Sequence, residues 1–541
     1  MRTFDVVIIG SGLGGLVCGA ILSKHGYRVC ILEKNQQTGG CLQTFSRDKV
    51  LFDSGVHYIG SLDKGQSLYK IFSYLGIMDK LKVQRLDDAF DRIIFDGDPV
   101  EYTLEQGYDK FIAGLVSQFP QEEKAILQYC AAIKDTCACF PLYNLRCGTA
   151  EEKQSVLGIN AKDFIDKLTD NPRLRQVLAG NNLLYAGVPD KTPFYVHALI
   201  TNSYIESSRR CVNGGSQLAK QLGRVITDNG GVIERHKEVI KITEENRVVS
   251  HVTIAGGEQI GGKHFISNVH PVKTLELLDS DMIRGAYRTR LTGLENSISS
   301  LMLNIALKPG SFPYYNYNLY LHESSDVWAA VNYTEDTWPG SLGVYFQHNT
   351  HNEGFSDGIS VVAYMRYEEV AKWADTYNVV SHETARGADY EAFKQAKAEK
   401  IISILERRFP ELRSAMRSYT VATPLTFRDY MGTGDGSIYG ILKDSEDPMR
   451  TLVSPRTRIP NLYLTGQNLN LHGIRALPSV RCSQAGNWLA WSNYWKRLTR
   501  HKIGKDEKAQ RMENIWKDRS VDDRRVVGTH HRVGYLRGAG R

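Results

Sequence analysis

A chain of 541 residues, 42% apolar and 23% charged, has room for two domains with large cores and the composition of a globular protein rather than a disordered one. Its formal net charge of +7 is uneven. From Arg475 onward sixteen Lys and Arg face six Asp and Glu, so residues 1–474 sum to −3, which argues against a nucleic-acid-binding body.

The first predicted element is the β-branched run 6–9, long enough for a buried parallel strand. Gly10, Gly12 and Gly15 follow in G-x-G-x-x-G spacing, with Leu13 and Gly14 inside the turn and a helix over 16–22. The first glycine permits a tight turn, the second lets a pyrophosphate approach the backbone, and the third lets helix and strand pack closely. The run 28–33 is a second strand ending in Glu33, whose carboxylate suits ribose hydroxyls. With strand, helix, strand and acid in register, the segment reads as a dinucleotide site. NAD and FAD share this opening. The pair Gly39 and Gly40 soon after the acid resembles the extended fingerprint of FAD enzymes of the glutathione-reductase and amine-oxidase type. A late apolar strand, 459–465, stops at Gly466 and Gln467. A return strand this late suits a cofactor spanning the sheet, so FAD is preferred.

No apolar run approaches the roughly 18–20 residues that span a bilayer. The first strand begins at residue 4 or 5, leaving no room for a signal peptide. Nine scattered cysteines, an odd number, suit reduced thiols and a cytoplasmic setting. Cys137 and Cys139 have no second pair at ligand spacing, so no metal site is expected.

Residues 1–95, 205–275 and 412–474 are assigned to a discontinuous cofactor domain, and 96–204 and 276–411 to a substrate domain. The stretch 100–200 reads as mainly helical. Residues 239–254 read as strands returning to the cofactor domain, and 296–370 as an antiparallel sheet in the substrate domain. A helix is expected over 390–408. The fold class is α/β: a Rossmann-like FAD-binding domain interleaved with an α+β substrate domain. The loop 432–436 imitates a phosphate loop, but it follows Arg428, Asp429 and Tyr430 rather than an apolar strand and is rejected as one.

These motifs, with 52–60 (Phe-Asp-Ser-Gly-Val-His-Tyr-Ile-Gly), 422–430 and 461–473, resemble the carotenoid desaturase and isomerase branch of the FAD amine-oxidase-like superfamily, nearest to the retinol saturases and their bacterial relatives. The likeness covers residues 1–474. It implies that Gly10, Gly12, Gly15, Glu33, Lys34 and Gly40 hold the ADP half, that Val239 meets adenine through its backbone, and that Gly466 and Gln467 lie by the flavin. It also implies redox chemistry on a carbon–carbon double bond of a hydrophobic polyene or isoprenoid, with a dry tunnel supplied by the protein. His57, Tyr58, Tyr430 and His472 are the candidate proton donors, with packing around the cofactor as their alternative role. The Arg428–Asp429 pair reads as structural. No second dinucleotide fingerprint exists, so a reductase would draw electrons from a separate donor such as NAD(P)H. A hydrophobic substrate suggests peripheral membrane contact.

After Ile474 the likeness stops and a basic, tryptophan-containing tail, 475–541, begins. In a shifted frame, one permissible codon set for 475–483 encodes Gly-Val-Thr-Val-Ser-Ala-Val-Leu, the small apolar opening the family pattern calls for. Out-of-frame translation and a genuine basic tail for an acidic membrane surface or partner both stay open. So do two further functions: a flavin amine oxidase on the same scaffold, and a non-catalytic or C-terminally damaged flavin-binding relative.

Overall fold

Two apolar runs start the fold because neither has a polar face to give to water. In the computed structural model, β1 (Arg2–Ile9) and β2 (Val29–Leu32) pair in parallel, Val6 opposite Val29 through Ile9 opposite Leu32. The paired residues are all buried, as a parallel sheet covered on both faces requires. Residues 1–146, 148–149, 151–347 and 354–469 are described. Between the strands runs α1 (Leu13–Lys24), apolar on nearly every side. It packs closely because Gly19 leaves no room for a side chain: a Cβ there would lie 2.7 Å from the Ile31 methyl and 3.1 Å from that of Ile226.

The chain then leaves this sheet. β3 (Ala89–Phe95) and β4 (Glu101–Glu105) form a hairpin, followed by α2 (Tyr108–Gln118), α3 (Glu123–Ala138) and α4 (Phe194–Glu206). In α3 the buried residues Ile126, Tyr129, Cys130, Ile133 and Cys137 recur at helical spacing and form one inward stripe. The chain returns through α5 (Ser216–Asp228), β5 (Val232–Glu234), β6 (Val239–Glu245), β7 (Val248–Ile254), β8 (Gln259–Ser267) and the short β9 (Leu278–Asp279). A second excursion supplies β10 (Ser299–Leu307), β11 (Asn318–His322), β12 (Ser341–Gln347), β13 (Gly358–Met365), α6 (Ala388–Arg408), β14 (Met416–Ala422) and α7 (Pro424–Met431). Last comes β15 (Leu462–Leu464).

The first sheet runs β5-β2-β1-β8-β7-β6-β9, with β15 also beside β8. β8 serves both neighbours by length: its first half pairs antiparallel with β7, and its last three residues pair in parallel with β15. Asn461 anchors that late strand by exchanging hydrogen bonds of 2.8 Å with the Val249 backbone in both directions. The second sheet runs β14-β10-β13-β12-β11-β3-β4. β10, β11 and β12 are buried along their whole length, and one core joins this sheet to the helices of 108–206.

Three segments lie in the other sheet from the one expected of them. β3, within the 1–95 cofactor assignment, pairs in parallel with β11. β14, within the 412–474 assignment, pairs with β10. β9, just past the 275 boundary, pairs with β6 of the first sheet. β3 and β14 are seven residues long and β9 two, and the local sequence of none of them says against which sheet it pairs.

Candidate functional site

The glycine turn sits at the carboxyl ends of β1, β2, β8 and β15, where open α/β sheets bind their ligands. Gly10 has φ +91°, a left-handed conformation that disfavours any side chain. A Cβ on Gly15 would lie 2.3 Å from the Gly10 carbonyl oxygen, so helix and turn can meet only at glycine. Gly12 is the N-cap of α1 and offers its N–H groups no side-chain acceptor, and the first turn, starting at Leu13 and Gly14, holds no acid. Those groups remain available to a phosphate.

Glu33 is buried at the end of β2. Its carboxylate accepts from the Ser11 N–H at 3.0 Å, the Ser11 hydroxyl at 2.5 Å and the Asn35 N–H at 2.9 Å. The acid is therefore fixed by the turn itself, through a serine that the glycine spacing did not single out. Gly39 and Gly40 close against the same turn: the Gly39 N–H donates to the Ser11 carbonyl at 3.1 Å, and a Cβ on Gly40 would approach the Gly12 Cα to 3.2 Å. Lys34 faces α7, donating to the Asp429 carbonyl at 2.7 Å and contacting the Tyr377 hydroxyl at 3.3 Å. Burial pulls its pKa below the usual lysine range. Asn35 donates to the Tyr430 carbonyl at 3.0 Å. The last carbonyls of α7 thus dock on the end of β2, and the helix covers one side of the cleft.

The cleft, about 1460 Å³ of open space, is lined by Gly10, Gly12, Leu13, Gly14, Glu33, Lys34, Gly39, Gly40, Val239, Gly466 and Gln467. Gly15 lies behind the turn instead, against Ile8. Two further residues matter: one was expected as a proton donor, and the other carried no motif. Tyr430 lines the cleft from α7. Asn268, one residue past β8, lies against the glycines: Cβ atoms on Gly12 and Gly14 would fall 2.7 and 2.6 Å from its amide. Its buried Oδ1 has no hydrogen-bond partner. An unsatisfied acceptor beside a glycine cradle fits a ligand that brings hydroxyl or amide donors, as a flavin dinucleotide does. Its position directly after an apolar strand that ends level with β1 was the available signal. Gly432 and Thr433 also line the cleft, but Gly432 ends α7 in a left-handed conformation, so this loop presents no helix N-terminus to a phosphate.

Cys41, Val56, Met431 and Gln467 line this cleft and also a second, inner pocket of about 910 Å³. The inner pocket is walled by Tyr58, Tyr204, Tyr345, Tyr439, Phe427 and Met302, with His57 among them. Cys41, Ser54, Met302, Phe427 and Met431 continue into an outer channel of mixed lining, with Phe45, Val379, Val380, Val421 and Ala422 beside polar residues that include Gln36, Gln37, Arg47 and Arg235.

The candidate proton donors stand as follows. His57 stacks on Tyr345, ring centres 4.3 Å apart and 7° from parallel, and burial pulls its pKa down to about 3. The Tyr58 hydroxyl is engaged by Asp91 at 3.1 Å and Tyr320 at 2.7 Å. Asp91 also accepts from Asn181 at 3.2 Å and Asn318 at 2.9 Å, and its burial pushes its pKa up to about 7. Tyr430 belongs to the cleft and outer channel rather than the inner pocket. His472 and the tail 475–541 lie outside the described residues. Asp429 pairs with Arg428 at 2.7 Å and also with Arg386, and is fully buried, which makes the pair structural. Among the described residues no cluster of His, Cys, Asp and Glu could hold a metal ion.

Residues 8–75 match the model of the NAD(P)-binding Rossmann-like domain family. The chain is 27% identical to the all-trans-retinol 13,14-reductase of Rattus norvegicus over 89% of its length and 85% of the relative's. It is 25% identical to the chloroplastic prolycopene isomerase of Daucus carota over 86% of its length and 77% of the relative's. Its fold matches the cyclohexylamine oxidase of Brevibacterium oxydans with a TM-score of 0.57 at 14% identity, covering 92% of this chain and 100% of that one. Over most of its length the chain is thus similar in sequence to all-trans-retinol 13,14-reductases and prolycopene isomerases, and it shares its fold with an amine oxidase.

Proposed function

We propose that this enzyme binds FAD in the glycine cleft and acts on a carbon–carbon double bond of a hydrophobic polyene held in the inner pocket and outer channel. The observation that carries the reading is the junction. Cys41, Val56, Met431 and Gln467 face both the dinucleotide cleft and an aromatic pocket, so a cofactor reaching that end would meet a substrate in an apolar enclosure.

FAD, when bound, supplies hydride transfer to or from such a bond. The chain's own residues do the rest. The first turn of α1 and Glu33 hold the dinucleotide half, Gly466 and Asn268 lie against the same turn, and α7 covers it. Met302 and Phe427 shape the passage for a long apolar chain and keep water out. The described residues contain a single glycine fingerprint, so in the reductive direction electrons would come from a separate donor, for which a reduced nicotinamide is the proposed class.

An amine substrate on the same scaffold would also use the tyrosine-rich walls. It would bring a cation, however, and no Asp or Glu lines the inner pocket. Among the described residues no helix is long and apolar enough to cross a membrane. The test is to mix the protein anaerobically, with its flavin reduced in one series and oxidised in another, with retinoids, carotenoids and amines and to follow the polyene and flavin absorption bands. A shift or loss of the polyene band with a change in the flavin's redox state, or isomerisation without it, supports the reading. Turnover of amines with no effect on any polyene overturns it.

A further inference from the structure

We propose that the inner pocket grips a neutral hydroxyl at the end of a long apolar substrate, and that His57 and Ser300 are the residues that read it. The proposal rests on the polyene reading above and names the substrate class within it.

Two buried side chains on the wall of this pocket have polar atoms with no partner. His57 is 8% exposed, and neither of its ring nitrogens makes a hydrogen bond. Ser300 is 1% exposed, and its hydroxyl makes none. Both line the inner pocket. They reach it from different parts of the fold, His57 from the segment after the β-hairpin of residues 44–53 and Ser300 from β10. Along β10 the cavity face alternates as strand geometry requires: Ser300 and Met302 line the inner pocket, and Met302 and Asn304 line the outer channel. The Asn304 Nδ2 is likewise unpaired. The rest of the wall is mostly tyrosine, phenylalanine, leucine, isoleucine, valine and methionine, and its other polar side chains Ser54 and Gln467 already donate to the carbonyls of Gln43 and Ile438, which leaves His57 and Ser300 as the unengaged hydrogen-bonding groups.

Leaving such groups unpaired costs the folded state free energy, whereas apolar residues of the same shape would not. The neighbouring tyrosine shows that the arrangement is local: Tyr58 has its hydroxyl satisfied by Asp91 and Tyr320. The Tyr345 ring covers one face of His57 and limits its freedom to turn elsewhere for a partner.

The kind of partner follows from charge. Burial and the nearby Arg210 guanidinium keep His57 neutral, so it offers one N–H donor and one acceptor nitrogen. A hydroxyl both donates and accepts and matches this set together with the Ser300 hydroxyl. A carboxylate only accepts and brings a charge, and no Lys or Arg lines the pocket to receive it. A plain hydrocarbon leaves all the groups unpaired. Of the two substrate types named among the relatives, a retinol is an alcohol and a prolycopene a hydrocarbon, and these side chains select the first.

The experiment is a binding titration of the full chain saturated with FAD, read by tryptophan quenching. The ligands are all-trans-retinol, retinoic acid and the same polyene ending in a methyl group. The wild type is expected to hold the alcohol about tenfold more tightly than either other ligand. His57→Phe keeps the stack on Tyr345, and Ser300→Ala is smaller than the residue it replaces. Each is expected to weaken the alcohol severalfold, leave the methyl-ended polyene unchanged, and retain the flavin spectrum. Equal wild-type affinity for the alcohol and the hydrocarbon would overturn the hydroxyl site while leaving the polyene reading intact. So would variants that lose both ligands equally. Wild-type protein that keeps FAD and binds none of the three overturns both.

Discussion

The Lys34 ammonium donates a 2.7 Å hydrogen bond to the carbonyl of Asp429, tying the residue after Glu33 to the last turn of α7. A helix leaves its final carbonyls unpaired and its C-terminus partially negative, so a cation there is doubly favourable. Tyr377 donates to the same carbonyl at 3.1 Å, and Asn35 donates to the next one. Lys34 thus positions the cover of the cleft. Lys34→Met is expected to weaken FAD binding roughly fivefold, about 1 kcal/mol, without unfolding the protein. Fluorescence titration of the apoprotein with FAD checks this, and an unchanged affinity would remove α7 from the binding account.

Glu33 is surrounded by donors, so charge is not its only contribution. Glu33→Gln turns one acceptor oxygen into an NH₂ group, which then faces either the Ser11 N–H, now held by Oε2, or the Asn35 N–H, now held by Oε1. The expected loss of FAD affinity is at least tenfold. Ser11→Ala removes one donor and should cost less. A Gln variant with wild-type affinity would mean the acid does not organise the turn.

Met302 stands where the inner pocket meets the outer channel. Met302→Phe narrows that passage without touching the glycine cleft. FAD content should be unchanged, while turnover of long carotenoids falls much further than that of shorter retinoids. A uniform loss with both substrate lengths would mean that the two cavities are not one path.

Asp91 makes stability depend on pH in a stated direction. Its folded pKa of about 7 lies above the unfolded value near ~3.9, so between those values the folded state holds a proton that the unfolded state has released. Its contribution is therefore favourable at low pH and is lost as pH rises toward 7. Asp91→Asn should destabilise at pH 5, because it breaks bonds to Tyr58 and Asn181, but the gap to wild type should narrow by pH 8. Melting curves of both proteins across that range decide it; a constant gap would mean Asp91 is ionised throughout.

The parts of the site that backbone geometry forces were legible in the sequence. Gly10 must be glycine because of its φ, Gly15 because a Cβ would strike the Gly10 carbonyl, and the parallel run of β1 and β2 follows from continuous apolar residues. The parts set by distant partners were not legible. Ser11 and Asn268 are ordinary polar residues until the fold brings Glu33 and Gly466 to them. Nothing in the local sequence of β3 or β14 names a sheet, and only pairing with residues far along the chain decides it. His57 was visible as a polar residue in a glycine-rich segment, but its lack of any partner emerges only in the folded pocket.

The most direct test of the account is the visible absorption spectrum of the purified full chain, with the released cofactor identified by mass. The account expects the bands of a bound flavin and FAD in stoichiometric amount, retained by wild type and lost with Gly15→Ala. Protein that is colourless as purified and remains so after incubation with FAD would contradict it.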